Sequence, residues 1–204
     1  GEVGGKIYLL GYEGATFSVV SIDVNTLQTE IKKSMTTPSP YNNVGISVTE
    51  TSKFPFDESS GKFFFQVNYN IRPYDASNPS QNVIFSFNIN TAELELAAEL
   101  PQGPNWFNFD YFDGFLYVTT YTRDASFPLS SGSIPSSFEN SIAAAAVLLK
   151  YDITNPTSFI YSKWFNIIRS TRPPTINVDS DGIISFAIFL PDGISTLTSD
   201  AEYD

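Results

Sequence analysis

The sequence predicts an all-β protein, and two regularities of the chain support that prediction. Short apolar segments, several of them alternating as half-buried strands do, are separated by turn-forming Asp, Asn, Ser and Gly. A glycine followed by an apolar segment also recurs at intervals of roughly 50 to 70 residues, a spacing typical of a structural repeat. In three units a strand then ends in a repeated phrase, Asp or Asn, then Val or Ile, then Asn or Thr. The glycines are Gly5, Gly61, Gly114 and Gly182, and the phrases begin at Asp23, Asn88 and Asp152.

The first unit is predicted to contain three strands. Its first segment is apolar and rich in β-formers, its second alternates, and its third is more polar. In the second segment, Phe17, Val19 and Ile22 are the inward-facing candidates. We expect no strand before Gly5. The predicted strands cover residues 6–10, 17–24 and 29–35.

The second unit has the clearest pattern. Asp and Ser followed by Gly61 predict a tight turn between two strands. Strands are predicted over 62–68 and 82–89. Residues 92–100 are rich in helix formers, but 93–96 alternate between polar and apolar. We predict a strand there, because the equivalent place in the first unit is a strand.

The third unit repeats the plan around a long insertion. A strand over 115–121 is followed by a Ser-, Pro- and Asn-rich segment, 122–141, which predicts a loop. Residues 141–149 include four consecutive alanines, which favour a helical turn at the start, while the repeat predicts a strand over 147–153. Further strands are predicted over 159–165 and, in the fourth unit, over 175–178 and 183–190.

These units resemble the blades of β-propeller repeat proteins, of the generic kelch-like, quinoprotein-like and YVTN types. A blade of this kind has an inner strand, an Asp/Ser-Gly turn, a second strand, a loop, a third strand ending in the phrase, and an outer strand. The WD dipeptide and the sialidase Asp-box are missing, and the kelch double glycine occurs only as Gly4-Gly5. The resemblance implies one β-propeller-type domain over 1–204 with about four blade units, either a small closed propeller or part of a larger one. The units cover approximately 1–43, 44–104, 105–172 and 173–204.

Charge and composition exclude several classes of function. The net charge of −11, from 22 acidic and 11 basic residues, disfavours nucleic acid and anionic membranes. No apolar run reaches the roughly 18 to 20 residues of a membrane span, so no membrane insertion is expected. The chain has no Cys and no His, which removes thiolate nucleophiles, imidazole bases and typical zinc sites. We expect no cofactor and no catalytic residue.

The acidic turns raise the question of calcium. Asp179 and Asp181 stand in a turn that resembles the start of a calcium loop, but the later ligands of an EF-hand are missing. Asp57 and Asp113 recur at turns equivalent to that of Asp181, which favours a structural role for these acids. A second set recurs at the repeated phrase, and we expect its side chains to bond backbone amides at turns: Asp23, Asn88 and Asp152.

The candidate binding site follows from the blade resemblance. In a propeller, the loops between second and third strands share a face with the loops between blades. The insertions at 70–82 and 122–141 would then lie on one face with 36–43, 101–107 and 169–175, and insertions on one face indicate the binding side. The alternative is that the aromatic residues pack under their own loops and the arginines pair with nearby acids. The candidate ligand-binding residues, aromatic or basic, are Tyr41, Arg72, Tyr74, Trp106, Phe107, Arg123 and Arg172.

The sequence thus predicts a non-catalytic interaction module that recognises a protein partner or a glycan through this face. One alternative is a structural piece of a larger extracellular or surface assembly, with apolar edges at both ends that need a partner chain to complete the propeller. Another is a carboxylate-dependent glycoside hydrolase, with Asp110 and Asp179 as candidate acids. An extracellular or cell-surface location fits the preferred function.

Overall fold

The protein is all-β, as the sequence predicts. The computed structural model describes residues 2–13, 16–36, 45–48, 54–70, 81–101, 107–134, 143–168 and 174–187. These residues form 15 strands in four antiparallel sheets. None of them belongs to a helix long and apolar enough to cross a membrane. The chain divides into two compact units, Gly1–Gln102 and Gly103–Asp204.

The first compact unit contains two sheets. In the first sheet the strands follow one another in chain order, and in the second sheet one edge position is shared by two short strands that both pair with β7. The first sheet consists of β1 (Glu2–Val3), β2 (Lys6–Glu13), β3 (Thr16–Asp23) and β4 (Thr29–Thr36). The second consists of β5 (Gly45–Val48), β6 (Phe56–Asp57), β7 (Lys62–Asn70), β8 (Gln81–Asn88) and β9 (Glu93–Glu99).

The second compact unit also contains two sheets, again with neighbouring strands in chain order. The third sheet consists of β10 (Phe107–Phe112), β11 (Phe115–Thr122), β12 (Ala143–Asp152) and β13 (Phe159–Ile168). The fourth sheet consists, within the described ranges, of β14 (Thr175–Val178) and β15 (Ile184–Ala187).

In both compact units an apolar core lies between the two sheets. In the first unit Val19 of β3 joins a cluster built on the aromatic and β-branched residues of β7 and β8. In the second unit Tyr117 and Leu148 of the third sheet pack with Ile176 and Val178 of β14. Each core therefore connects two sheets packed face to face.

The repeated phrase forms a turn in each of the three repeat units that contain it. Oδ1 of Asp23 accepts the amides two and three residues later, both at 2.9 Å. Asn88 does the same at 2.8 and 3.1 Å, and Asp152 accepts the amide two residues later at 2.8 Å. The prediction that these three side chains bond backbone amides is confirmed.

A hydrogen bond explains why each phrase follows a glycine. The residue after the Asp or Asn donates its amide to the carbonyl oxygen of the glycine that immediately precedes the repeat unit's second strand. This contact fixes the turn against the preceding hairpin, so the glycine and the phrase depend on each other. Val24, Ile89 and Ile153 donate to Gly5, Gly61 and Gly114 at 3.0, 2.9 and 3.2 Å.

Two local predictions are wrong. A strand does precede Gly5, since β1 pairs with the start of β2 through Gly4-Gly5, whose φ values of +58° and +72° suit a two-residue hairpin turn. The alanine segment is also extended from Ala143 onward rather than helical at its start, because it pairs on both sides with β11 and β13. Its small side chains are buried, Ala144 at 0% exposure.

The strand predicted over 93–96 is confirmed. β9 covers Glu93–Glu99 and pairs with β8 despite its helix-forming residues. The alternation places Leu94 and Leu96 against the core of the first unit. Tertiary packing therefore outweighs intrinsic helix propensity here.

Candidate functional site

The described part of the second insertion lies at one end of the third sheet. β11 ends and β12 begins at this end, because Thr122 pairs with Ala145. β10 starts there, because Phe107 pairs with Thr120, and β13 ends there. We call this region the loop end; it comprises Phe107, Thr122–Ile134, Ala143 and Ile168.

The insertion loop, residues 123–134, is fixed by buried anchors. Phe127 is 5% exposed and Ile134 is 2% exposed, although both stand in a Ser- and Pro-rich segment. The Ser130 amide donates to Oγ of Ser162 on β13 at 2.6 Å, and the Ser162 amide donates to Oγ of Ser130 at 2.9 Å. These anchors were not predicted from the sequence, where their signal is the isolated apolar residues within a polar loop.

The start of the insertion loop forms an ordered turn at Asp124. Oδ1 of Asp124 accepts the Ser126 hydroxyl at 2.6 Å and the Ser126 amide at 2.8 Å. These two hydrogen bonds, the hydroxyl bond first, hold the pKa of Asp124 below its usual value. The folded loop therefore favours the ionised form of this carboxyl, which follows the exposed Arg123 in the sequence.

Two of the predicted ligand-binding residues lie at the loop end. Arg123 is exposed on the insertion loop, whereas Phe107 is 1% exposed at the start of β10. The Phe107 ring is therefore buried beneath the loop end and is not exposed to a ligand. The other five candidates lie outside the described residues and stay predictions: Tyr41, Arg72, Tyr74, Trp106 and Arg172.

Asp179 and Asp181 lie in the turn between β14 and β15. Oδ1 of Asp179 accepts the amides of Asp181 and Ile183, both at 2.9 Å. This is the same use of a carboxylate as in the phrase turns. Across the described ranges, no group of three or more His, Cys, Asp or Glu is placed to hold a metal ion.

Asp110 connects the third sheet to the fourth. It is 3% exposed, and its two oxygens accept the amides of the next residue at 3.0 Å and of Val178 at 2.9 Å. Nearby, Thr119 and Asn108 donate side-chain hydrogen bonds to the carbonyl oxygen of Pro174, at 2.6 and 3.2 Å. Polar side chains of the third sheet thus hold both ends of β14.

The first sheet has an apolar face turned to solvent. Pairing across β2, β3 and β4 places Ile7, Leu9, Val20, Ile22 and Ile31 on one side, which we call the open face. Ile7, Leu9 and Ile31 are 37%, 49% and 69% exposed. The expectation that Ile22 points inward with Val19 is wrong, because Ile22 pairs with Ile7 on the open face, whereas Val19 is 2% exposed on the core side.

Comparisons with known proteins give no relative. No protein-family model matches the chain, and no curated protein or solved structure matches it significantly. The functional proposals therefore rest on the loop end and on the open face.

Proposed function

We propose that this protein is a non-catalytic interaction module built on the β-propeller plan, and that it binds a protein partner through the loop end. Support for the plan comes from the sheets. The first and third have four strands in chain order, and the second has the same order with its inner strand in two pieces, β5 and β6. Within each compact unit, neighbouring sheets pack face to face. Repeated four-stranded antiparallel sheets of this kind are typical of propeller blades.

The fixed insertion loop is the observation that carries the binding function. Phe127 and Ile134 are buried and Ser130 is bonded to β13, while most of the remaining loop residues are exposed. A loop held in one conformation loses less conformational entropy when it binds. Its exposed residues are polar or small, and they provide hydrogen-bonding groups, one positive charge and one negative charge: Arg123, Asp124, Ser126, Pro128, Ser131, Gly132 and Ser133.

The described residues favour a protein over a glycan as the partner. Phe107 and Phe127, at 1% and 5% exposure, present no aromatic ring to a sugar. The exposed Arg123 is of a type enriched at protein interfaces.

An array experiment with a charge-matched control tests this function. Wild type, Arg123→Ala and Lys33→Ala are applied in parallel to an array of folded proteins and peptides and to a glycan array. Both substitutions remove one positive charge, but Lys33 lies on β4 of the first sheet. We expect binding to protein probes that Arg123→Ala weakens and Lys33→Ala preserves. Binding to glycans alone, or equal effects of the two substitutions, would contradict the proposal.

A second function, as a structural piece of a larger surface assembly, is favoured by the open face of the first sheet. That function predicts apolar surface at both ends of the chain. The outward residues of the fourth sheet are exposed and mostly polar, so only the first sheet meets this expectation among the described residues. The outward residues are Thr175, Asn177, Ser185 and Ala187.

The glycoside-hydrolase alternative has the least support. Its first candidate acid, Asp110, is buried and accepts two backbone amides. Its second, Asp179, also accepts two backbone amides. Both carboxylates have a structural use in the second unit.

A further inference from the structure

We propose that the insertion loop closes the outer edge of β13 against strand addition, and that this edge, once uncovered, pairs with β13 of a second copy of the chain. This inference goes beyond the proposed function, because it concerns the edge of a strand rather than the exposed residues of the loop. Among the described residues β13 pairs with β12 and is the last strand of the third sheet. The free amides and carbonyls along such an edge are a template for another strand.

The insertion loop occupies backbone groups that an added strand would need. The amide of Ser162 on β13 donates to Oγ of Ser130 at 2.9 Å, and the same Oγ lies 3.5 Å from the carbonyl oxygen of Ser162. In an antiparallel pair, a residue exchanges both its N–H and its C=O with the residue opposite. The side chain of Ser130 therefore takes the place that a residue of another strand would have beside Ser162.

Further contacts hold the loop over the strand. The Ser130 amide donates to Oγ of Ser162 at 2.6 Å, and the two Oγ atoms are 3.0 Å apart. The buried anchors Phe127 and Ile134 stand on either side of Ser130 in the sequence. Ser162 is 3% exposed although it belongs to an outer strand. The loop is thus fixed before, at and after its contact with β13.

The composition of β13 explains why this edge needs a cover. Two other strands, β4 and β9, also come last in their sheets among the described residues, and each carries three charged residues. β13 has 10 residues and one charge, Lys163, whose Nζ lies 5.8 Å from the ring centroid of Phe165. Charges on an outer strand oppose edge-to-edge pairing. β4 and β9 are therefore protected by their own side chains, whereas β13 depends on the loop.

A second copy of the chain suits the uncovered edge. β13 is rich in aromatic and β-branched residues, which favour sheet pairing. A two-fold axis at Ser162 would place Tyr161 of each copy opposite Lys163 of the other, so like charges would not face each other. Ile160 and Tyr161 are 51% and 43% exposed, so pairing along this edge would also bury apolar surface.

Sedimentation velocity of a double serine variant tests the proposal. Ser130→Ala with Ser162→Ala removes the hydrogen bonds between loop and strand, whereas Ser131→Ala with Ser133→Ala changes two exposed serines of the same loop. As concentration rises, we expect wild type and the control to keep the mass of 22.6 kDa and the first variant to shift toward twice that mass. A first variant that stays monomeric, or a wild type that associates equally, would overturn the proposal.

A reversal experiment separates strand pairing from loss of fold. Adding Ile160→Lys to the double serine variant places a charge on the uncovered edge, and this should return the mass toward 22.6 kDa. Adding Ile183→Lys instead makes the same change of charge at a site 60% exposed beside the fourth sheet, and it should leave association unchanged. Association that persists with Ile160→Lys, or that both lysines reverse equally, would show that the loop does not guard this edge.

Discussion

Replacing Gly182 with alanine should destabilise the second compact unit more than the same change at Gly114. Both glycines lie in turns between the first two strands of their repeat units, with φ of +79° and +83°. A Cβ at Gly114 meets nothing within 4 Å. A Cβ at Gly182 would lie 3.0 Å from Cε1 of Phe112. Comparing the two substitutions therefore separates the cost of backbone strain from the cost of the contact with Phe112.

The magnitudes follow from these two terms. Alanine in the left-handed region costs about 1 kcal/mol relative to glycine, which is the full expected loss at Gly114. At Gly182 the Phe112 ring must also move, and it packs against the core around Tyr117 and Ile176. Displacing a packed ring from its rotamer adds about 1 kcal/mol. We expect losses of about 1 kcal/mol for Gly114→Ala and about 2 kcal/mol for Gly182→Ala.

Urea unfolding followed by tryptophan fluorescence is the appropriate assay. The only two tryptophans, Trp106 and Trp164, belong to the second compact unit, so the signal reports on that unit. Repeating Gly182→Ala in a Phe112→Leu background removes the ring, and the cost should fall to that of Gly114→Ala. Equal losses for the two glycines, or an excess at Gly182 that persists without the ring, would refute the reasoning.

Three further predictions concern the turns, the connection between sheets and the loop. The hydroxyl and the backbone amide of Thr154 donate hydrogen bonds to Asp152 and lower its pKa. The ionised side chain therefore stabilises the folded state at neutral pH, and this stabilisation is lost as the pH falls through the folded-state pKa. In thermal unfolding across acidic pH, Asp152→Asn should depend less on pH than wild type, because asparagine keeps the acceptor oxygen as Asn88 does. Asp152→Ala should be less stable than wild type at neutral pH. Asp110→Ala leaves buried amides without their acceptor and should cost about 2 kcal/mol in urea unfolding; an unchanged midpoint would contradict its structural role. Ser162→Ala should speed amide hydrogen exchange in residues 123–134 while the unfolding midpoint changes little, and unchanged exchange would show that the loop is held elsewhere.

The sequence predicted the features of the fold that depend on local contacts. The phrase turns at Asp23 and Asn88 are short-range hydrogen bonds, so the residue types alone indicate them. The strand β9 was predictable because repeat position and alternation agreed against helix propensity. In each case the decisive contact lies within the segment or recurs between units.

What the sequence could not predict depends on contacts between distant segments. The burial of Phe127 and the bond of Ser130 to Ser162 require β13 to lie beside the loop. The open face was also missed, because Ile7 and Leu9 are as apolar as residues on the core side. An apolar strand residue indicates that some surface covers it, but not whether that surface belongs to the same chain.

The phrase turns separate the acidity of this protein from its fold. Asn88 accepts two backbone amides with a neutral side chain, as Asp23 does with a carboxylate. The turn therefore needs an acceptor oxygen and not a charge. The hydrogen bonds that Asp23 and Asp152 accept lower their pKa values, so the folded turn favours the charged form of both side chains. The turn can thus form with either side chain, and the charges of Asp23 and Asp152 add to the net charge of −11.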